Sequence, residues 1–576
     1  MNKKSLLYLN ICLFVLTLLF NPAAIKISSA DIGLHEPSEW NWSTPAYVSS
    51  NLNGHSTYPS LATDNNGLRH VVWMDQTDYE GSGTDPDIFY SFGYLSQWSA
   101  PEVVSSTSAI SASAQPDIAV DANGNVHVCW YDNEDYNSSG SDNDIFYRYK
   151  NATSGMWSTI MVVSDICTWD SVNVSIAIDG FNMVHFAWVD STNYDGAGND
   201  WDIFYRKYDF DSGVWYPIRV ITQDSTGDSV DPDIVITPSK DGFGFWDVNI
   251  FWSDTAVNGE VISFANIYYR TWNALTDWSE NTILVSWESI FSSTMPSVCV
   301  GPTNNIHAVW FDINDGTNYE IFYKRFDVKQ NNWTNVEAIG AYMFNSSGRS
   351  PPSIAVDSAD NVHVTWIEQG DFIGTGSDDD VYYRRLYTEL NIWTTIEAVC
   401  PITMSTEVSS NPVISVDPHD NILILWDDFT DWDVQNDYDI LGREFGRAPS
   451  APELFIYFPP PGHKTDTGIV ELLWSSVPSA WYCNIYRSNE FSIDAMNYYA
   501  NYIGYSDIGY LMDTLPGEGI YYYVVEAVNA HGRTLSNYVV IEYEISALSE
   551  FTIMLAVAGG VGIIVVFLKK RHRKMV

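Results

Sequence analysis

The chain has 576 residues, of which 15% are aromatic, and a formal net charge of −46, since 73 acidic side chains are set against 27 Lys and Arg. This balance excludes nucleic acid as a partner and argues against anionic membrane surfaces, because both require basic protein surface. It favours solubility and cation binding. The length allows several domains, or one large ring with additions.

The first 30 residues resemble a secretory leader. Lys3 and Lys4 precede an apolar run at 6–20, and the small residues at 28–30 suit a cleavage site. An uncleaved start-anchor helix is the alternative, which Pro22 makes less favourable. Beyond this leader five scattered cysteines remain, and they indicate neither a disulfide framework nor a metal cluster.

One unit, PSIAVDSADNVHVTW at residues 352–366, recurs about every 60 residues. Each copy contributes four short runs rich in β-branched and aromatic residues, separated by turn residues and without helical periodicity. This repetition is typical of a β-propeller, whose sheets bury their faces against their neighbours. The tryptophans that end the unit are Trp73, Trp130, Trp188, Trp252, Trp310, Trp366 and Trp426.

A motif beginning with Trp supplies the fourth run of the first six copies, but the seventh copy lacks it. A spare version lies at residues 42–49, ahead of the first repeat. We therefore predict an all-β, seven-bladed β-propeller over residues 31–447. Its N-terminal strand would pair beside residues 439–443, which closes the ring and removes the exposed edge of an open array.

The P-x-I-A-V-D-x-x-x-N-V-H-V-x-W units resemble those of the BNR/sialidase-like propellers found in many prokaryotic surface proteins. The resemblance covers about 400 residues and implies the propeller fold. The Asp boxes of sialidases, S-x-D-x-G-x-T-W, are absent from the sequence. No residue matches the sialidase arginine triad or the Tyr/Glu nucleophile pair, so the resemblance implies no catalytic residues here.

Residues 448–546 contain no repeat unit. The Leu472-Leu473-Trp474 run and GIYYYVVEAVN at Gly519–Asn529 resemble a fibronectin type III module, in which such residues build the sandwich core. The resemblance implies a second β domain that acts as a stalk or spacer.

The C-terminal segment predicts a membrane anchor. Residues 551–568 carry no charge and are followed by the basic run KKRHRK, so we predict a transmembrane helix at 547–568 and a cytoplasmic tail at 569–576. The protein would then be a single-pass protein of the cell membrane with its other domains outside. Six N-glycosylation sequons fit that location, at Asn41, Asn137, Asn151, Asn173, Asn332 and Asn345.

Acidic, glycine-containing loops between the second and third runs are candidate Ca²⁺ sites, because Ca²⁺ prefers several oxygen ligands in adaptable geometry. No loop has EF-hand spacing, and the alternative is that these carboxylates bond backbone amides at the strand ends. The candidate metal ligands are Asp75, Asp85, Asp87, Asp132, Asp142, Asp144, Asp190, Asp200, Asp202, Asp378 and Asp380.

Two further sets recur at fixed positions. A histidine three residues before the repeat Trp occurs in five copies, and we expect it to pack or hydrogen-bond within the sheet, since Asn249 and Leu423 replace it elsewhere. A basic residue ends the third run in six copies, with Ser91 in the first, and we expect it to pair with a carboxylate of the neighbouring sheet.

Residues that interrupt the repeat are candidates for ligand binding, because a site should break the symmetry. The connections between repeats carry exposed aromatic or basic candidates that would stack on sugars or anchor a protein. These residues are Trp169, Trp287, Tyr342, Phe344 and Arg349.

Three hypotheses follow for function, the last of which is a purely structural envelope component that binds no ligand. The first is a membrane-anchored extracellular binding or adhesion protein, whose propeller face recognises a glycan or a protein with Ca²⁺ as the candidate cofactor. The second is a cell-surface glycoside hydrolase or lyase of the propeller type, which requires a set of catalytic carboxylates in one cleft.

Overall fold

A computed structural model describes residues 40–543, apart from short gaps. The gaps are 51, 96, 106–110, 241–243, 258–259, 280, 314–318, 341–349, 370–377, 401–406, 430–436, 448–453, 459–464, 466, 476, 478–479, 481, 490–501, 507–508, 530–531 and 537–538. The chain divides into two compact units, Met1–Gly446 and Arg447–Val576. The predicted leader at 1–30, the predicted transmembrane helix at 547–568 and the tail at 569–576 lie outside the described residues.

The described part of the first unit consists of strands with one 3₁₀ turn, Tyr136–Ser138. In chain order the strands are β1 (Trp40–Trp42), β2 (Ala46–Tyr47), β3 (Ser56–Thr63), β4 (Arg69–Asp75), β5 (Asp87–Tyr94), β6 (Gln97–Trp98), β7 (Glu102–Val103), β8 (Ser113–Val120), β9 (Val126–Asp132), β10 (Asp144–Lys150), β11 (Met161–Val162), β12 (Ser171–Ile178), β13 (Met183–Asp190), β14 (Asp202–Asp209), β15 (Val214–Trp215), β16 (Arg219–Val220), β17 (Ser229–Pro238), β18 (Trp246–Val257), β19 (Glu260–Asn273), β20 (Asp277–Trp278), β21 (Ile283–Leu284), β22 (Ser293–Val300), β23 (Ile306–Ile313), β24 (Tyr319–Asp327), β25 (Asn332–Trp333), β26 (Glu337–Ala338), β27 (Ser353–Val356), β28 (Val362–Gln369), β29 (Asp379–Tyr387), β30 (Ile392–Trp393), β31 (Glu397–Ala398), β32 (Ser409–Val416), β33 (Ile422–Asp428) and β34 (Asp439–Arg447).

These strands form antiparallel sheets in which neighbours in sequence are neighbours in space. Sheets 1 to 6 are β3–β7, β8–β11, β12–β16, β17–β21, β22–β26 and β27–β31, and sheet 7 combines β32–β34 with β1 and β2. The first strand of each sheet contacts the first strand of the next, and β32 of sheet 7 contacts β3 of sheet 1. A cyclic order of sheets around their first strands is the architecture of a β-propeller.

The repeat tryptophans explain why the sheets stack. All seven lie in the second strands and are at most 1% exposed. In sheet 1 the indole nitrogen of Trp73 donates a hydrogen bond to Asp75 at 2.8 Å, and Trp426 does the same to Asp428 at 2.9 Å in sheet 7. A flat apolar ring with a satisfied N–H suits the space between two sheets, because a buried indole nitrogen needs an acceptor. Trp130 is the exception, since its buried Nε1 has no hydrogen-bond partner.

The N-terminal segment belongs to the last sheet. Ala46 pairs with Gly442 and Tyr47 with Leu441, and β1 lies beside β34. Farther along, the amide of Val48 donates to the carbonyl of Ile440 at 2.8 Å. This is the contact that the sequence predicted for residues 42–49, and it pairs the outer edge of β34.

Tryptophans of two fourth-strand motifs, Trp42 and Trp393, also join two sheets. Trp42 donates to Glu397 of sheet 6 at 2.9 Å and packs edge-on against Tyr383 with ring centroids 5.3 Å apart. Trp393 makes the equivalent contacts one sheet earlier, to Glu337 at 2.9 Å and Tyr323 at 5.2 Å. The N-terminal tryptophan therefore occupies the same environment as an internal one.

The repeated basic residues bridge adjacent sheets through backbone carbonyls, and Arg206, Arg270 and Lys324 also pair with a carboxylate of the neighbouring sheet, as predicted. Arg443 donates to the carbonyl of Ser43 in its own sheet and to that of Val399 in sheet 6, both at 2.7 Å. Arg384 repeats this with Thr394 and Ile339. A guanidinium suits two carbonyls because its donors are held in a rigid plane. Only some members add a carboxylate, such as Arg206 with Asp165 at 2.9 Å.

The described strands of the second unit form two sheets. They are β35 (Leu454–Phe458), β36 (Ile469–Trp474), β37 (Tyr482–Ser488), β38 (Tyr502–Ser506), β39 (Tyr510–Thr514), β40 (Gly519–Asn529), β41 (Gly532–Leu535) and β42 (Val539–Tyr543). One sheet has the order β35-β36-β39, and the other β38-β37-β40-β41 with β42 also on β40. Trp474, Ile485 and Tyr523 meet in one buried cluster drawn from both sheets. Among the described residues, no helix has the length and apolar character that crossing a bilayer requires.

Candidate functional site

A cavity of ≈ 600 Å³ lies on the propeller axis, lined by equivalent positions from the first strands of all seven sheets or the residues just before them. None of its lining residues, all of which are described, is basic, and it combines carboxylates, amides, hydroxyls and proline rings. The lining side chains include Tyr58, Gln115, Asp117, Asn173, Asp231, Asp233, Met295, Ser297, Ser353, Ser410 and Asn411.

The backbone bulges into this cavity at the residue before the repeat proline, which Val174 replaces in sheet 3. Tyr58, Gln115 and Asn173 have φ of 53°, 45° and 52°, and the register of each first strand shifts at that point. Asp231, Met295 and Asn411 behave in the same way. A left-handed conformation costs a non-glycine residue about 1–2 kcal/mol, and such outliers cluster at functional sites. The sheets hold these strained residues at the cavity wall.

Two carboxylates beside the cavity accept hydrogen bonds from neighbouring sheets. Asp117 accepts a hydrogen bond from Ser60 of sheet 1 at 2.7 Å and from the amide of Ile176 in sheet 3 at 3.0 Å. Asp233 accepts from Ser175 at 3.3 Å and from the amide of Val298 at 2.7 Å. Each carboxylate thus links its own sheet to both neighbours. Burial raises the pKa of both, that of Asp233 to about 7, and the charge of Asp117 adds to the second shift.

A third carboxylate lies where the seventh sheet meets the first. Asp427 is buried and accepts hydrogen bonds from the Tyr58 amide at 3.2 Å and from the Asn411 side chain at 2.8 Å. Burial raises its pKa to about 6. With several carboxylates and no basic lining residue, the cavity suits an uncharged, hydroxyl-rich ligand or a cation and disfavours an anion.

The opposite mouth of the axis is narrower, with a cavity of ≈ 260 Å³ lined by the turns of sheets 1 to 4. Trp246, the first residue of β18, lies against Gly180. A Cβ at Gly180 would come within 2.3 Å of the Trp246 ring. The glycine is therefore what allows the indole to cover this mouth.

The candidate metal ligands separate into two sets. Asp75, Asp132 and Asp190 end the second strands, are buried, and accept several hydrogen bonds each. Asp190, for example, accepts from Ser171 at 2.5 Å, from the Thr192 amide at 2.7 Å and from Trp188 at 3.3 Å. These three carboxylates therefore serve as acceptors at strand ends, which was the alternative to Ca²⁺ binding.

The second set precedes or begins the third strands. In sheets 1 and 2, Asp85 with Asp87 and Asp142 with Asp144 each have a buried Oδ2 that accepts no hydrogen bond. Burial, with the charge of Asp85 adding, raises the pKa of Asp87 to about 6. Asp202 and Asp378 also have a buried Oδ2 that accepts no hydrogen bond. Asp200 and Asp380 are not members of this set. Among the described residues, no group of three or more His, Cys, Asp or Glu could hold a metal.

The predicted ligand-binding aromatics lie away from the axial cavity. Trp169 is 64% exposed and Trp287 is 47% exposed, and neither lines the cavity. Lys324 lies over the Trp287 ring, 3.0 Å from its centroid, so this ring has a cation–π partner. Tyr342, Phe344, Arg349 and the sequon Asn345 lie outside the described residues.

The described sequon asparagines differ in access. Asn41, Asn137 and Asn332 are exposed and Asn151 is half-buried. Asn173 lines the axial cavity, so a glycan attached to Asn173 would occupy that cavity.

The repeat histidines are structural. His70, His127, His185, His307 and His363 are buried, and Nδ1 of each lies 2.7–2.9 Å from the hydroxyl of a third-strand tyrosine. In sheet 7, Leu423 replaces the histidine and Gly442 the tyrosine. A Cβ at Gly442 would lie 2.6 Å from Leu425 and 2.8 Å from Leu95, so leucines fill the space of the missing ring.

The burial of His307 predicts that its contribution to the stability of the propeller decreases at acidic pH. Burial, with the charge of Arg325 adding, lowers the pKa of His307 to about 3, so the folded state keeps it neutral while the unfolded chain protonates near the usual value of 6.5. Stability from this site is present above pH 6.5 and is lost as the pH falls toward 3. We expect His307→Gln to lower the free energy of unfolding by about 1 kcal/mol at pH 7. At pH 4 the same substitution should lower it by less, or not at all.

Urea unfolding at the two pH values measures this difference. Asn249→Gln, at the equivalent position of sheet 4, is the matched control, because its cost should not change between pH 7 and pH 4. An equal cost of His307→Gln at both values would contradict the prediction.

The axial cavity was missed by sequence reasoning, although a signal for it exists. Within the repeat, the position of Tyr58 differs in most copies, whereas the serine two residues before it and the proline directly after it each recur in six of the seven copies. This position reads Tyr, Gln, Asn, Asp, Met, Pro and Asn in sheets 1 to 7. Variation inside an otherwise regular unit marks a position that the fold does not dictate.

The sequence matches no family model and no curated protein. Among solved structures, the chain is similar to the BP39L lectin from Burkholderia pseudomallei, with 10% identity over 68% of this chain and 96% of that chain and a TM-score of 0.44. It is also similar to a PL25 ulvan lyase bound to -[GlcA(1-4)Rha3S]- (11% identity, 68% and 95% covered, TM-score 0.43). A third similar structure is the NanB sialidase from Streptococcus pneumoniae (10% identity, 73% and 72% covered, TM-score 0.37).

Proposed function

We propose that the chain is a membrane-anchored extracellular binding protein whose seven-bladed propeller, carried on a fibronectin type III-like spacer, recognises an uncharged glycan in its axial cavity. The observation that carries this proposal is the cavity itself. Equivalent positions of all seven sheets meet there, and the position that Tyr58 occupies in sheet 1 carries a different side chain in most of the other sheets. A volume of ≈ 600 Å³ falls in the range of ligand pockets.

The chemistry of the lining supports a sugar. Gln115, Asn173 and Asn411 offer amides that both donate and accept, which matches hydroxyl groups. Tyr58 is 40% exposed at the wall and offers a ring face for the apolar side of a sugar. Carboxylates without a basic partner disfavour acidic sugars such as sialic acid, in keeping with the lack of an arginine triad.

The extracellular placement rests on the leader-like start, the uncharged segment with its basic flank and the sequons. These features support a protein displayed on the cell surface by a single C-terminal helix, with the acidic propeller outside. A net charge of −46 keeps copies of such a protein apart by mutual repulsion.

A catalytic alternative has one observation in its favour. The pKa of Asp233, near 7, would suit a general acid, and Asp117 is close enough to affect it. However, both oxygens of Asp233 accept backbone N–H groups from two sheets. This engagement favours a structural role, so we propose binding without turnover.

We expect the full-length chain to bind a subset of neutral oligosaccharides on a glycan array, and Tyr58→Ala to weaken that binding by about 10-fold through loss of stacking. Tyr216→Ala is the matched control. Tyr216 is 39% exposed, like Tyr58, but lies outside the cavity, so this change should leave affinity as it is.

Mass spectrometry of the bound sugars after incubation separates binding from catalysis. Unchanged sugars support a binding protein, whereas shortened or unsaturated products that disappear in Asp233→Ala would establish the enzyme. Equal loss of affinity in both tyrosine variants would contradict recognition in the axial cavity.

A further inference from the structure

Two loops of the propeller share one carboxylate pattern. Between the second and third strands of sheet 1 the sequence runs Asp78, Gly83, Asp85 and Asp87, and sheet 2 repeats the spacing with Asp135, Gly140, Asp142 and Asp144. In both loops the glycine has a positive φ, of 110° and 131°. Its amide lies 3.3 Å from the first aspartate's Oδ1 in each case. The two loops therefore have the same conformation, built by the same residues.

In each loop, a serine hydroxyl holds one carboxylate oxygen of the last aspartate. Ser105 donates to Oδ1 of Asp87, and Ser164 donates to Oδ1 of Asp144, both at 2.7 Å. Both aspartates are 1% exposed, and their other oxygen, Oδ2, accepts no hydrogen bond. The serine thus fixes the carboxylate while leaving one buried oxygen directed away from it.

A second buried oxygen accompanies each of these. The Oδ2 atoms of Asp85 and Asp142 are also buried without a hydrogen-bond partner. Asp85 lies two positions before Asp87 in the sequence, and Asp142 lies two positions before Asp144. In the part of the chain that the structure describes, no ion pair to Lys, Arg or His balances any of the four carboxylates. Two neighbouring carboxylates, each with a buried oxygen that lacks a partner, are costly unless a cation neutralises them.

We infer that each loop binds one divalent cation of the Ca²⁺ type, through Asp85 and Asp87 in sheet 1 and through Asp142 and Asp144 in sheet 2. The available ligands are hard oxygens, without His or Cys, which suits Ca²⁺ and not Zn²⁺. Two carboxylates supply only part of the six to eight ligands that Ca²⁺ takes, and loop carbonyls and water supply the others. The inference is independent of the proposed glycan recognition.

The third sheet does not fulfil the same pattern. Asn193 stands in place of the first aspartate, and only Asp202 of the pair Asp200–Asp202 has an unpartnered buried oxygen. The inference is therefore restricted to two ions per chain. The acceptors Asp75, Asp132 and Asp190 take no part in it, because hydrogen bonds occupy them.

The test compares the full-length chain with the double variant Asp87→Asn, Asp144→Asn, using Ca²⁺ alone as the probe in 0.15 M salt, which screens diffuse attraction. Calorimetric titration should show two bound ions for the wild type and none at these sites in the variant. The melting temperature of the wild type should rise by several degrees from EDTA to 2 mM Ca²⁺, since binding stabilises the folded state. The variant should show no rise.

A second readout separates a metal ligand from a merely structural aspartate. Asparagine removes the buried charge, so in EDTA the double variant should melt at or above the wild-type temperature. The matched control is Asp209→Asn, Asp211→Asn, which loses the same charge at the end of β14 and in the exposed turn that follows, and should still bind two ions.

Three results would overturn the inference. They are no Ca²⁺ bound by the wild type, two ions still bound by the double variant, and a double variant that melts lower than the wild type in EDTA. If the double variant does not fold, the single variants decide, since each should bind one ion; failure of a single variant to fold in EDTA would also count against the inference.

Discussion

Replacing Trp42 with alanine should destabilise the propeller by about 3 kcal/mol, as much as the same change at Trp393. The two tryptophans have matching partners. Trp42 donates to Glu397, meets Tyr383 at 5.3 Å and lies under Arg443 at 5.5 Å. Equal costs are expected because the environments are equal, although Trp42 is nearly 400 residues from its sheet in sequence.

Trp393 is the matched control for that prediction. It donates to Glu337, meets Tyr323 at 5.2 Å and lies under Arg384 at 5.7 Å, but a short turn joins it to its own sheet. Urea unfolding followed by near-ultraviolet circular dichroism measures both variants. A cost for Trp42→Ala below one third of that for Trp393→Ala would mean that the N-terminal strand is only loosely attached, and closure by that strand would then be wrong.

Much of the fold was accessible from the sequence because the repeat encodes it locally. The alternation of apolar residues around Trp73 or Trp310 specifies a strand, and the count of fourth-strand motifs specifies the partner of residues 42–49. The assignment of the repeat histidines to structural roles follows from the same logic. Asn249 and Leu423 can replace them because the site is only a packing position.

The candidate site was less accessible because it depends on convergence. Tyr58 and Asn411 are more than 350 residues apart in sequence and meet only because the ring closes. The separation of the aspartates into strand-end acceptors and residues with an unpartnered oxygen could not be predicted from the sequence either. Asp75 and Asp87 occur in similar sequence contexts but differ in their hydrogen bonds. The partners of Arg443 are backbone carbonyls, which leave no trace in the amino-acid pattern.

Replacing Asp190 with alanine should destabilise the propeller by about 4 kcal/mol, equally with Ca²⁺ and with EDTA. The change leaves three buried donors without an acceptor, namely the Ser171 hydroxyl, the Thr192 amide and the Trp188 indole. Each unsatisfied buried donor costs about 1–3 kcal/mol. Urea unfolding of the full-length chain in both buffers measures this cost.

The two buffers make this prediction a test of how the acidic residues divide. An aspartate that serves as a hydrogen-bond acceptor is needed whether or not Ca²⁺ is present, whereas a metal ligand, as we infer for Asp144, would contribute stability only when the ion is bound. Asp211→Ala, in an exposed turn, is the control and should change stability by less than about 0.5 kcal/mol. If Asp190→Ala were costly only in Ca²⁺, the strand-end carboxylates would be metal ligands after all, and the separation into two sets would be wrong.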